Sequence, residues 1–130
     1  LAPPHHLLVL PLSGGAPATA GDSGLTSVTD LVGGIDWGDD GMLYASAIDG
    51  LVRVAPSGGK LELVSRLDAR QEPSWLLYPR VLPGARGVLV TLMPKAGVFD
   101  RDRASIALVD LASHNVTVVL HGVGARHFLA

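Results

Sequence analysis

Apolar residues fall along this chain in short runs, at 7–10, 42–45, 51–54, 61–64, 88–91, 106–109 and 116–119. Each run is rich in leucine, valine or isoleucine and has the length of a β-strand. Several are apolar at consecutive positions, which predicts strands covered on both faces by neighbouring sheets. Helical periodicity is missing: no long window places apolar residues at i, i+3, i+4 and i+7, and 16 glycines and 9 prolines interrupt the chain every few residues. The pattern predicts an all-β fold.

The breaks themselves repeat. Ser13-Gly14-Gly15 recurs as Ser57-Gly58-Gly59, a displacement of 57 − 13 = 44 residues, and each copy separates two apolar runs as a hairpin turn would. Ser113-His114-Asn115 takes the same place in a third unit, with Asn115 expected to adopt the positive φ that glycine supplies elsewhere. Its displacement from Ser57 is 113 − 57 = 56, and the surplus falls at the polar stretch 95–103. A second landmark keeps the register: Trp37, in Ile35-Asp36-Trp37-Gly38-Asp39-Asp40-Gly41, and Val81, in Arg80-Val81-Leu82-Pro83-Gly84, are 81 − 37 = 44 residues apart. A period of about 40–45 residues made of four short strands is that of a β-propeller blade. The chain divides accordingly into the end of a first blade (1–30), a second blade (31–74), a third blade (75–123) with an inserted loop at 95–103, and the first strand of a following blade (124–130). That is about two and a half four-stranded antiparallel blades. An immunoglobulin-like sandwich is the alternative for a chain of this length, and the repeat argues against it.

Asp36-Trp37-Gly38-Asp39-Asp40-Gly41-Met42-Leu43-Tyr44, then Gly50-Leu51-Val52-Arg53-Val54 and Ser57-Gly58-Gly59, resemble the blades of TolB-like six-bladed β-propellers. The stretch from Tyr78-Pro79-Arg80 to Val90-Thr91, followed by Ile106-Ala107-Leu108-Val109-Asp110-Leu111, is similar to propellers found C-terminal to bacterial serine/threonine protein kinase domains. The resemblance covers nearly the whole chain and rests on structural motifs. One departure stands out: the common Pro-Asp-Gly turn is Asp39-Asp40-Gly41 in one blade and Pro83-Gly84-Ala85 in the next. The resemblance implies a ligand- or protein-binding sensor or scaffold module whose first partners are the remaining blades of its own propeller. The chain starts at Leu1 and stops within an apparent strand, so it is expected to be a segment of a longer protein and to self-associate when expressed alone.

Composition narrows the function classes. With 130 residues and 48% hydrophobic content, the chain can build a core. Its 10 basic and 12 acidic residues give a net charge of −2 and no basic field for nucleic acid. There is no cysteine, hence no disulfide or thiolate, and the compartment stays open. The early apolar stretch Leu7 to Leu12, interrupted by Pro11, is too short to span a bilayer and lacks the basic flank of a signal peptide.

The residues with chemical potential read mainly as fold residues. Gly14, Gly15, Asp39, Asp40, Gly41, Gly58, Gly59, Pro83 and Gly84 are expected to form turns, the glycines by left-handed backbone and the aspartates by Asx-type hydrogen bonds. Trp37 is expected to pack between blades. Asp36, Asp40 and Gly41 fit part of a calcium loop, but Gly38 replaces a ligand and Ala47 stands at the twelfth position, so no metal is expected. His5, His6, His114, His121 and His127 lack metal-ligand spacing. No G-x-S-x-G elbow, P-loop or G-x-G-x-x-G occurs, and no cofactor or catalytic residue is assigned. Asn115-Val116-Thr117 matches a glycosylation acceptor by chance composition. Asp100, Arg101, Asp102 and Arg103 alternate in charge as a solvated loop does, with an interaction site as the alternative reading. Two function classes remain: a non-catalytic binding module, with a protein or small molecule as partner, or part of a propeller enzyme. The enzyme would be a gluconolactonase-like hydrolase, to which only Asp36 and Asp49 could contribute ligands, or the propeller domain of a prolyl-peptidase.

Overall fold

The computed structural model describes residues 7–9, 18–20, 31–48, 50–57, 61–67, 73–97 and 101–122. The architecture is all-β, with no α-helix among the described residues and three short 3-10 turns at Pro83–Ala85, Lys95–Gly97 and Arg101–Arg103. Strands β1 (Leu7–Val9) and β2 (Ala18–Ala20) pair antiparallel. Then β3 (Leu31–Trp37), β4 (Leu43–Ala47), β5 (Gly50–Val54) and β6 (Glu62–Ser65) form one four-stranded antiparallel sheet in chain order. A second sheet of the same kind holds β7 (Ser74–Val81), β8 (Gly87–Pro94), β9 (Ser105–Asp110) and β10 (Val116–His121). Both are meanders, which need only hairpin connections.

The apolar runs at 42–45, 51–54, 61–64, 88–91, 106–109 and 116–119 all fall on strands of these sheets. The run at 7–10 meets β1. The strands that begin each sheet, β3 and β7, are absent from those runs because each contains a bulge. In β3 the register shifts between Leu31 and Ile35, around Gly34 at φ +95°. In β7 it shifts between Leu77 and Arg80, around Tyr78 at φ +51°. A bulge breaks the two-residue alternation by which a strand is recognised. The two bulges face each other: a Cβ on Gly34 would lie 2.7 Å from the Tyr78 Cα, so only glycine lets the two backbones approach this closely.

Between the sheets lies one core cluster, with Tyr44, Leu51 and Val64 from the first sheet against Leu76, Val88, Val90, Leu92, Ala107 and Val109 from the second. Burial of this kind contributes about 25 cal/mol for each Å² of apolar surface removed from water. The first sheet carries another buried cluster on its opposite face, from Leu43, Ala45, Ala47, Val52, Val54 and Leu61. The strand register relates the two faces. Trp37 pairs with Leu43 as Val81 pairs with Val88, Leu43 with Val54 as Val88 with Val109, and Ala45 with Val52 as Val90 with Ala107. The face with Leu43, Ala45, Val52 and Val54 is therefore the counterpart of the second-sheet face that packs on the first. Equivalent faces point the same way, and the sheets stack front to back.

Two expectations need correction. The positive φ of the β9–β10 turn belongs to His114, at +64°, and not to Asn115. His114 is held there by contacts to the first sheet, since its carbonyl accepts from Ser65 Oγ at 2.8 Å and its Nδ1 lies 2.7 Å from the Val64 carbonyl. Trp37 does not pack between the two sheets. It is 55% exposed on the face turned away from the second sheet, where its indole N–H donates to the Gly41 carbonyl at 3.2 Å.

Candidate functional site

Where the turns of the second sheet meet the first, an open cleft of about 500 Å³ is lined by Asp40, Tyr44, Arg53, Arg86 and Asp110, with Ala85, Leu111 and Ala112. Its floor is Tyr44. Strand alternation points this side chain toward the second sheet, where it is fully buried, and its hydroxyl donates to Asp40 Oδ2 at 2.7 Å. Asp40 is fixed in turn by the Met42 N–H, which donates to its Oδ1 at 3.0 Å in an Asx-type turn. Arg53, opposite Tyr44 in β5, is clamped by two 3.0 Å hydrogen bonds to Glu62 on β6. The second sheet supplies Arg86, after the β7–β8 turn, and Asp110 at the end of β9. Asp110 Oδ1 accepts from the N–H groups of Ala112 and Ser113, at 2.8 and 3.2 Å.

The electrostatics hold protons in place. Burial pushes the Tyr44 phenol above its ordinary value, and the hydrogen bond to the Asp40 carboxylate raises it further, while Arg53 opposes both. Hydrogen bonding to Arg53 lowers the Glu62 carboxyl, and Glu62 raises the Arg53 guanidinium in return. A neutral phenol locked onto a carboxylate is a poor general base. The cleft presents two guanidiniums and two carboxylates, of which Arg53, Asp40 and Asp110 are held by hydrogen bonds and Arg86 is exposed, an arrangement suited to orienting polar groups by hydrogen bonds.

The turn residues singled out in the sequence divide by reach. Asp40 serves its own turn, and Gly41 takes a left-handed conformation at φ +81° with open space where a side chain would stand. Asp39 and Asp36 reach the second sheet: Asp39 Oδ2 accepts from the Gly84 N–H at 2.9 Å, and Asp36 Oδ2 accepts from the Val81 N–H at 2.8 Å. Pro83 and Gly84 form the 3-10 turn that receives Asp39, with Gly84 at φ +81°. Gly14, Gly15, Gly58, Gly59, Asp49 and Asp100 lie outside the described residues, as does the segment 124–130. Arg101 opens the 3-10 turn Arg101–Arg103, in which Asp102 and Arg103 are exposed, and Arg103 donates to the Ala96 carbonyl at 3.2 Å. Neither Asp102 nor Arg103 lines the cleft. Among the described residues no three of His, Asp and Glu gather as metal ligands would, and no helix is long and apolar enough to cross a membrane.

Sequence reasoning missed Tyr44, Arg53, Arg86 and Asp110 as members of one site. Only the spacing of Asp40 and Tyr44 gave a local signal; Arg53 and Arg86 meet through the stacking of two sheets. In comparisons with known proteins the chain matches no family model, no curated protein and no solved structure.

Proposed function

We propose that this chain is a segment of a TolB-like β-propeller, about two and a half blades long, and that it works as a non-catalytic sensor or scaffold module binding a protein or small ligand. Such modules accompany bacterial serine/threonine kinases. The observation that carries the reading is the front-to-back stacking of two meander sheets with corresponding registers. A two-sheet sandwich turns its two inner faces toward each other and is then complete. Front-to-back stacking sets unlike faces against each other and can continue in the same sense, as successive blades do. The binding reading is supported by the cleft, which exposes fixed charges of both signs, and by the carboxylates of Asp36, Asp39 and Asp40, which are engaged with amide and phenol donors.

Two measurements test it. Light scattering of the chain alone should show association rising with concentration; a compact monomer at high concentration would contradict an open stack. Thermal melts with calcium or zinc, and with chelator, should coincide. A metal-dependent rise in Tm that Asp36→Asn or Asp40→Asn abolishes would revive the hydrolase alternative.

A further inference from the structure

Donors and acceptors counted side chain by side chain separate what the fold uses in the cleft from what it leaves open. Both oxygens of Asp40 accept, Oδ1 from the Met42 N–H and Oδ2 from the Tyr44 hydroxyl. Nε and Nη2 of Arg53 are taken by Glu62. Asp110 accepts through Oδ1 alone, from the N–H groups of Ala112 and Ser113, and its Oδ2 has no donor among the described residues. The exposed Arg86 guanidinium has neither a hydrogen bond nor an ion pair among them.

The two groups left open are neighbours. Gly87 pairs with Asp110 across β8 and β9, and the Leu111 N–H donates to the Arg86 carbonyl at 3.1 Å. Both side chains line the cleft, yet they form no ion pair with each other. An opposite pair that does not close on itself presents a donor fork and an acceptor oxygen side by side. The signs of the remaining charges narrow the ligand further. A wholly anionic ligand such as a phosphate would meet the carboxylates of Asp40 and Asp110, and a wholly cationic one the guanidiniums of Arg53 and Arg86. A ligand with one charge of each sign meets neither obstacle.

We propose that the cleft binds a zwitterion of the amino-acid type, a free amino acid or a short peptide with free ends. Arg86 takes the carboxylate in a forked pair of N–H···O bonds, and Asp110 Oδ2 accepts from the ammonium group. The inference rests on the binding-module reading above and adds the chemical class of the ligand and the two residues that select it. At about 500 Å³ the cleft is of the size of small-ligand sites, and Ala85, Leu111 and Ala112 give it short aliphatic walls beside the open pair.

The test uses the full chain and radiolabelled trialanine in four forms: free at both ends, N-acetylated, C-amidated and blocked at both. Equilibrium dialysis reads occupancy whether or not the chain associates, because the cleft lies within each copy. Each block alone should weaken binding about fivefold, and the two together about twentyfold. Arg86→Gln should remove the preference for the free carboxylate and keep that for the free ammonium. Asp110→Asn, which retains an oxygen for the Ala112 and Ser113 amides, should do the reverse. Arg80→Gln, at an exposed arginine outside the cleft, should change neither. Displacement of the free peptide by L-alanine assigns a free amino acid, and its persistence assigns a peptide. Equal binding of the four forms would overturn the proposal, as would no binding of any form or a carboxylate preference that survives Arg86→Gln. The blocked peptides decide the matter even where a variant fails to fold. None of these outcomes touches the non-catalytic reading, which falls instead if mass spectrometry shows trialanine cut to alanine by the chain.

Discussion

The turn joining β3 to β4 and the turn joining β7 to β8 occupy corresponding places and close with corresponding main-chain bonds. Gly38 N–H donates to Met42 O and Gly41 N–H to Gly38 O in the first; Leu82 N–H donates to Gly87 O and Ala85 N–H to Leu82 O in the second. Both use a left-handed residue at positions 44 apart, Gly41 at φ +81° and Ala85 at +52°. Their side chains differ completely. The first turn and its strand carry Asp36 and Asp39, which staple the following sheet, whereas Arg80 and Pro83 stand at the corresponding positions in the second. Main-chain geometry is thus repeated while each junction is specified separately, so two junctions of one repeat can differ in strength and in what they recognise.

The largest effect should come from the element both sheets share, the facing bulges. Gly34→Ala places a Cβ against the Tyr78 backbone from a residue at φ +95°, and should cost about 3 kcal/mol or more in urea unfolding. A cost below about 1 kcal/mol would mean that the bulges do not bear on each other. Next comes the staple: Asp36→Ala leaves the partly buried Val81 N–H without its acceptor and should cost about 2 kcal/mol, and Asp36→Asn less than half as much because an amide oxygen still accepts. Equal losses for the two variants would show that the negative charge, not the acceptor, matters.

The two left-handed positions give a reciprocal test. Gly41→Val should destabilise by about 1–3 kcal/mol despite the open space around it, while Ala85→Gly should stabilise by about 1 kcal/mol by relieving a strained alanine. A stabilising Gly41→Val would break the equivalence of the turns. Tyr44 supplies a pH signature. Its phenol titrates above its unfolded value, so its contribution is complete below about pH 10 and is lost as pH rises through the folded value; Tyr44→Phe should remove that part of the alkaline fall in denaturation midpoint and cost about 1 kcal/mol at neutral pH. The smallest effect belongs to Arg53 and Glu62, an exposed pair whose coupling in a double-mutant cycle should be under about 1 kcal/mol.

How much of this was legible in the sequence depended on the range of the interaction. Uninterrupted apolar runs marked β4, β5, β6, β8, β9 and β10; burial on both faces accounts for them in β4, β5, β8 and β9, whereas β6 is half exposed and β10 lies open, with Val118, Val119 and Leu120 on the surface, against the expectation of two-sided cover. Strands β3 and β7 were hidden by Gly33-Gly34 and by Tyr78-Pro79, which read as breakers and are bulges inside strands. The displacement of 44 was visible in the spacing of turn residues, and it returns in the positions of the bulges at Gly34 and Tyr78. Asp40 declared its local role by standing two residues before the amide it accepts from. Asp39 could not, since its donor lies 45 residues away. Asparagine was the natural choice for a left-handed residue by propensity, but tertiary hydrogen bonds place His114 there instead. Of the cleft only the Asp40–Tyr44 spacing was legible, because its two arginines belong to different sheets and line it together only through stacking.

The close approach at Gly34 also has a mechanical consequence. Along the inner strands the two sheets are separated by little more than backbone, whereas farther out Tyr44, Leu51 and Val64 hold them apart. Two layers that are thin along one margin and thick along the other form a wedge, and the outer hydrogen bonds from Ser65 and His114 fix its opening. The taper between the two sheets is set at a few contacts, with the absent side chain of Gly34 at the thin margin and the aromatic ring of Tyr44 toward the thick one.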